Sequence, residues 1–323
     1  MSDIPEEILD LAARRHAARE ARDFATADAL RVRIRMAGFD VVDTTSGSEL
    51  VARQEGAPEA EGPTVHGKSE AVPSVLEEPP VFDASIQWIV QGWPEDVVRG
   101  VESFRRYSGD RSTQHVVVDL TDTGIDRWPE GTDLVRLDPE EGWASGRNAG
   151  LRRAAGRVVV LVDGSVEAEA ATLDPLVGAL DDATVGITGP FGIVTDDLRE
   201  FRESKGPEVD AVEGYLMAFR RELVEGGLRF DERFKFYRTA DIELSFQVKA
   251  MGLRATVTSV PLRRHQHRMW ANTPEDERAR LSKRNFYRFL DKWRGRTDLL
   301  VSHPTRRDGR GSPGSGRPIL PKA

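Results

Sequence analysis

Between Ser85 and Trp293 the chain alternates short, uninterrupted apolar runs with longer stretches of helical period. Ser85-Ile86-Gln87-Trp88-Ile89-Val90 predicts a strand. Pro94 to Tyr107 predicts a helix, because Pro sits in its first turn and Val97, Val98, Val101 and Phe104 recur at helical spacing. His115 to Asp119, Leu134 to Leu137 and Val158 to Val162 predict further strands, with a helix from Arg147 to Ala155 that Gly156 closes. Val and Leu runs without polar alternation belong to strands covered on both faces. Strand and helix in turn therefore predict an α/β domain with a largely parallel sheet flanked by helices. Ala255 to Pro261 predicts a late strand, and Asp276 to Trp293 an amphipathic helix with Leu281, Phe286, Phe289, Leu290 and Trp293 on one stripe.

The first fifty residues read differently. Ile8, Leu11, Ala12, Phe24, Ala27, Leu30 and Ile34 recur helically, which predicts two helices broken near Arg22-Asp23, followed by Gly38 and the extended stretch Phe39 to Asp43. Residues 1–52 are thus expected to form a small helical hairpin module. Residues 53–83 are expected to be a flexible linker: from Glu55 to Asp83 there are seven acidic residues against Lys68 alone, with few large apolar side chains. The α/β domain is expected over 84–300. Residues 301–323, rich in Gly, Pro and Ser with Arg306, Arg307, Arg310, Arg317 and Lys322, are expected to be a disordered basic tail.

Composition narrows the chemistry. The 323 residues contain no cysteine, which excludes disulfides, thiolate metal sites, iron–sulfur clusters and a cysteine nucleophile. Any metal must sit on Asp, Glu or one of six His. A net charge of -8 argues against a general nucleic-acid surface, although a local basic patch stays open. No run approaches the roughly 18 consecutive apolar residues of a membrane span, and the N-terminus is acidic where a signal peptide is basic, so a soluble cytoplasmic protein is expected.

In a parallel α/β sheet, ligands lie beyond the carboxyl ends of the strands. Asp119 and Asp163 fall there, each directly after an apolar run. A carboxylate projecting from a strand end can hold a divalent ion, and that ion can neutralise a diphosphate; Asp119 can instead accept a hydrogen bond from a base or ribose. Each alone is also an ordinary residue of a strand-ending turn. The densest polar cluster is Arg263-Arg264-His265-Gln266-His267-Arg268-Met269-Trp270, in which His265 and His267 share a face if the segment is extended.

Four blocks in fixed order carry a resemblance. Glu141-Gly142-Trp143-Ala144-Ser145-Gly146-Arg147-Asn148-Ala149-Gly150 with Ala154 and Gly156, running on to Asp163, then Glu213 to Arg221, then Phe230-Asp231-Glu232-Arg233-Phe234, then Ala240-Asp241-Ile242-Glu243-Leu244, resemble family 2 glycosyltransferases of the GT-A fold over about residues 85–293. The resemblance implies a nucleoside diphosphate sugar donor and an inverting transfer to a glycan, lipid-linked or small-molecule hydroxyl, in envelope or secondary-metabolite glycan synthesis. It implies that Asp119 sits against the base, Asp163 holds the metal (Mn²⁺ or Mg²⁺), Arg147 and Asn148 meet phosphate at a helix start, and Asp241 deprotonates the acceptor. Ser165 stands where the second acid of D-x-D belongs and Ala240 where a glutamate commonly precedes the base, so a histidine is expected to complete the metal site; His265 is preferred to His267. These departures keep a second reading in play, a catalytically weak GT-A domain that binds nucleotide sugar or glycan as a scaffold.

Ala21 to Arg31, Ala37-Gly38 and Val42-Asp43-Thr44 resemble the C-terminal end of cysteinyl-tRNA synthetases, over the first fifty residues only. No catalytic signature of such a synthetase follows. The likeness implies a borrowed module in which a tRNA contact by residues 1–52 is possible, while nucleic acid is otherwise an unlikely partner.

Overall fold

The computed structural model describes residues 4–20, 30, 34, 39–44, 47–52, 64–121 and 128–303. It divides into two compact units, Met1–Gly62 and Pro63–Ala323.

In the first unit, helix α1 (Glu6–Glu20) buries Ile8, Leu11 and Ala12 against Leu30 and Ile34, and Phe39 and Leu50 pack on that cluster. Leu30 and Ile34 are both helical. The break expected near Arg22-Asp23 lies outside the described residues. The extended stretch after Gly38 is one arm of a β-hairpin: β1 (Phe39–Thr44) pairs antiparallel with β2 (Gly47–Ala52), Phe39 facing Ala52. Pairing satisfies backbone groups that a lone extended tail would leave to water.

The second unit opens with β3 (Val65–His66), β4 (Phe82–Val90), α2 (Pro94–Arg106), β5 (Thr113–Asp119) and β6 (Thr132–Leu137). Then come α3 (Gly142–Arg152), β7 (Gly156–Val162), β8 (Val166–Ala168), α4 (Leu173–Leu180), β9 (Val185–Gly189) and the short strands β10 (Gly192–Thr195), β11 (Phe201–Ser204), β12 (Glu208–Val209) and β13 (Ala211–Val212). It ends with β14 (Leu216–Arg220), α5 (Arg221–Glu225), α6 (Ala240–Ala250), β15 (Arg254–Val257), β16 (Leu262–Arg264), α7 (Arg268–Asn272) and α8 (Glu275–Trp293).

Nine of these strands form one sheet, in the order β12-β15-β9-β14-β7-β4-β5-β6-β3. The pairs β4–β5, β4–β7, β5–β6 and β9–β15 are parallel, whereas β14 runs antiparallel to both β7 and β9. The uninterrupted run of β7 has a direct cause: Val158, Val160 and Val162 enter the core that contains Trp88 and Phe104, while Val159 and Leu161 enter the one that contains Phe246 and Phe289. Each such side chain contributes roughly 1.5–3 kcal/mol by leaving water.

Helix α3 lies tightly on β4. A Cβ on Gly150 would fall 1.6 Å from Gln87 Nε2, which donates to the Arg147 carbonyl at 2.8 Å. The glycine of the R-N-x-G block thus leaves room for the Gln87 side chain and its hydrogen bond.

Residues 64–83 correct the expected linker. β3 pairs parallel with the edge strand β6, and Val72 is buried with Val116, Val118 and Ala149. Arginines of the domain take up the segment's carbonyls: Arg152 Nε donates to Val72 O at 2.7 Å, and Arg221 Nη2 to Val75 O and Glu78 O at 2.7 and 2.8 Å. Its composition suggested a solvated chain, but these hydrogen bonds come from side chains distant in sequence. Of the basic tail, residues 304–323 lie outside the described residues. No described helix is long and apolar enough to cross a membrane.

Candidate active site

The parallel strands β4, β5 and β7 end together, and Asp163 follows β7 directly. Its N–H donates to Tyr215 O at 2.9 Å, and its carbonyl accepts from Val166 N–H, so the chain turns sharply there. Asp163 Oδ1 accepts from the Ser165 N–H at 2.8 Å and from the Ser165 hydroxyl. The residue in the place of the second acid thus serves the first one as a donor. Asp163 Oδ2 lies 3.2 Å from Nε2 of His267.

That histidine is not the one expected. β16 pairs antiparallel with β8, and the His265 N–H donates to Ser165 O at 2.7 Å, which lays the following loop over Asp163. The strand stops at Arg264, so the extended alternation that would have put both histidines on one face does not continue. His265 Nε2 turns instead to Glu167 Oε2 at 2.7 Å. His267 caps α7, its Nδ1 accepting from the Trp270 N–H at 3.2 Å, and its ring stacks on Tyr237 at 4.6 Å. With Nδ1 accepting, Nε2 is the nitrogen that carries the proton toward Asp163. Burial would raise the Asp163 carboxyl, but the hydrogen bonds from His267 and Ser165 outweigh it and hold the group below the ordinary aspartate value.

Arg147 and Asn148 also differ from expectation. α3 begins at Gly142, five residues earlier than the apolar period suggests, so both lie in mid-helix. The buried Arg147 guanidinium donates to Gln87 O and Val162 O, both at 3.1 Å, and so ties the ends of β4 and β7 together behind Asp163. Burial lowers its pKa to about 10 against the attraction of Asp163. Asn148 donates through Nδ2 to Phe230 O at 2.9 Å and accepts at Oδ1 from Phe230 N–H at 2.9 Å, so it shapes the Phe230-Asp231-Glu232 turn. Asp119 ends β5 as expected; its Oδ1 accepts the Thr121 N–H at 2.9 Å, and the chain directly beyond, 122–127, is outside the described residues.

Asp241 stands in the first turn of α6, after Thr239, whose φ of 73° is left-handed. Its Oδ2 accepts the Gly214 N–H at 2.8 Å and its Oδ1 the Ile242 N–H at 2.9 Å. Burial raises its pKa, and these donors together with the nearby Arg238 offset only part of the rise. Glu213 beside it is raised as well, by burial first and then by the charge of Asp241.

Asp163, His267 and Asp241 meet on the wall of one cavity of about 370 Å³, together with Glu213, Tyr215 and Tyr237. A smaller recess behind the Asp163–His267 pair reaches Gly92 and Trp93. Asn148, Asp119 and His265 line neither. The sequence gives Tyr237 and Glu213 no role: Tyr237 carries no signal beyond its position before α6, and Glu213 opens the block that ends at Arg221 without one. Among the described residues no three His, Asp or Glu side chains converge as metal ligands.

Residues 108–243 match the model of glycosyl transferase family 2. Among solved structures, GalNAc-T7 with UDP, GalNAc and Mn²⁺ is similar at a TM-score of 0.52 and 17% identity, covering 67% of this chain and 49% of that one. The mannosyltransferase PcManGT from Pyrobaculum calidifontis, in complex with GDP-Man and Mn²⁺, aligns at a TM-score of 0.48 and 21% identity over 68% of each chain. The aligned part of the chain thus has the fold of GT-A glycosyltransferases, and the chain spans about half the length of the GalNAc-T7 structure. A further likeness, 47% identity over 49 residues, is to a cysteine–tRNA ligase of Opitutus terrae; it covers 15% of this chain and 11% of the ligase.

Proposed function

We propose that this chain transfers a sugar from a nucleoside diphosphate donor to an acceptor hydroxyl with inversion at the anomeric carbon. The observation that carries the reading is the pair of aspartates on one cavity wall, Asp163 held in its ionised form and Asp241 raised by burial. An enzyme that must both neutralise a departing diphosphate and take a proton from an alcohol needs two carboxyl environments of this kind.

Asp163 and His267 would suit a first-row divalent cation such as Mn²⁺ better than Mg²⁺: the carboxylate oxygen suits either ion, the imidazole nitrogen is a transition-metal ligand, and phosphates and water commonly complete such shells. Bound there, the cation would neutralise the leaving diphosphate. Nδ1 of His267 would then carry the ring proton, and the 3.2 Å bond from the Trp270 N–H would give way. Asp241 Oδ takes the acceptor proton as the acceptor oxygen attacks from the side opposite the nucleotide. The N–H groups of Gly214 and Ile242 fix its carboxylate plane for that task. Asp119, with one oxygen engaged by Thr121, offers the other to the nucleotide base. Arg147 acts as a buried cation behind Asp163 and does not touch phosphate. The acceptor belongs to cytoplasmic glycan assembly for the envelope or for secondary metabolites.

The test is release of nucleoside diphosphate from UDP-, GDP- and dTDP-sugars, with and without Mn²⁺, by the full chain and by Asp163→Asn. Release from one donor that depends on Asp163 supports the reading. Nucleotide-sugar binding with no release under any acceptor would return the domain to the scaffold reading, which Ser165 in place of a second acid favours.

A further inference from the structure

Most arginines of the second unit are committed. Arg99, Arg111, Arg153 and Arg254 pair with carboxylates, and Arg147, Arg220 and Arg221 donate to backbone carbonyls. Three others stand around the Asp241 half of the large cavity without any ion pair or side-chain hydrogen bond among the described residues: Arg199, Arg238 and Arg264. Arg199 and Arg238 line the cavity itself. Arg264 lies over the ring of Tyr215, a lining residue, at 3.7 Å, and over Phe191 at 4.6 Å.

Exposed arginines without partners are common, so exposure by itself decides nothing. What distinguishes this set is how it is held. Arg238 rests on the Trp270 ring at 5.1 Å and Arg264 on Tyr215 and Phe191. Stacking on a ring face orients the guanidinium plane and leaves the N–H edge free, which is the part that grips a phosphate or carboxylate through two parallel hydrogen bonds. Arg199 sits in the β10–β11 turn, its N–H bonded to Asp197 Oδ1 at 2.8 Å after Leu198 in a left-handed conformation. Glu203, Glu213 and Asp241 face the same space, yet none of them reaches any of the three arginines as an ion pair.

Resting on the transferase reading, we propose that the acceptor is anionic: it bears a phosphate or carboxylate that Arg238 and Arg264 grip, with Arg199 at the rim, while its hydroxyl lies at Asp241. The cavity's apolar lining, including Phe201, Ile242 and Phe286, would cover the remainder of such an acceptor.

The test is calorimetric titration of the full chain, saturated with UDP or GDP, with matched pairs: octyl phosphate and octanol, glycerol 3-phosphate and glycerol, glucuronate and glucose. The charged member of at least one pair is expected to bind tenfold or more tightly than its neutral partner. Which pair responds separates a lipid phosphate, a soluble phosphate and a carboxylate. Arg238→Gln with Arg264→Gln should erase the preference, and Lys at both positions should restore part of it. Both side chains are exposed, so folding is preserved, which an unchanged melting temperature checks. Equal affinities within every pair, no binding of any probe, or a preference that survives the Gln variant would overturn the proposal. The transferase reading fails on a separate readout in the same titrations, namely absence of Asp163-dependent UDP or GDP binding.

Discussion

Asp163 and Asp241 are the same residue type on the same cavity wall, and their surroundings drive them in opposite directions. Asp163 collects side-chain donors from His267 and Ser165 together with the Ser165 N–H, enough to overcome burial. Asp241 receives the backbone N–H groups of Gly214 and Ile242, which are not enough. The same chemical group has its pKa lowered at one place and raised at the other because donors are supplied unequally. Sequence spacing alone shows two acids; the division of labour comes from what each one touches.

The strongest way to break this contrast is to remove the base. Asp241→Asn is expected to lower turnover by about 10²–10⁴-fold, the usual contribution of a positioned general base, with donor affinity nearly unchanged. Single-turnover transfer beside a nucleotide-sugar titration separates the two quantities. The mirror experiment, Asp163→Asn, should act on the donor: about 10–100-fold weaker binding of the nucleotide sugar, and a Mn²⁺ response that disappears. His267→Gln is expected to follow it and His265→Gln not to; equal effects of the two would show that the 3.2 Å contact with Asp163 has no functional weight.

A pH profile sharpens the same comparison. Because the Asp241 pKa is raised, the base is protonated over an acidic range where an ordinary aspartate would already be ionised. Turnover should rise about tenfold per pH unit up to that pKa and then level off, while donor affinity, governed by the depressed Asp163, stays flat through the same window. A limb of the rate profile that persists in Asp241→Asn would assign it to another group.

The smallest effect is on stability. A carboxyl whose folded pKa is raised loses stability as pH rises through the window between its unfolded and folded values; one whose pKa is depressed gains stability there and loses it on acidification. At neutral pH Asp241→Asn should therefore raise the melting temperature and Asp163→Asn lower it. Calorimetry of both variants without nucleotide checks the opposite signs.

Much of the frame was legible beforehand. The Val158 to Val162 run, its closing Asp163, and the helix ending at Trp293 all stand where the apolar pattern put them, because burial on two faces leaves a plain signature in composition. The pairing of β1 with β2 and the docking of residues 64–83 were not legible. The 64–83 segment is held by hydrogen bonds from Arg152 and Arg221, which follow it by about eighty and 143–146 residues in sequence. The start of α3 was misplaced because Gly142, Ser145 and Gly146 are poor helix formers that are nonetheless buried against neighbouring strands and the 234–235 turn.

By itself the sequence determined the α/β alternation, the strand ends that carry Asp119 and Asp163, and the glycine and arginine block between them, since these depend on local period and on which side chains can enter a core. Only the tertiary structure decided that His267 and not His265 reaches Asp163, that Arg147 serves strand carbonyls, and that Asp241 shares a cavity with Asp163. The choice of histidine turns on where β16 stops and which strand it joins. Two residues of slippage in such a loop exchange one histidine for the other, and no local property of the chain distinguishes them.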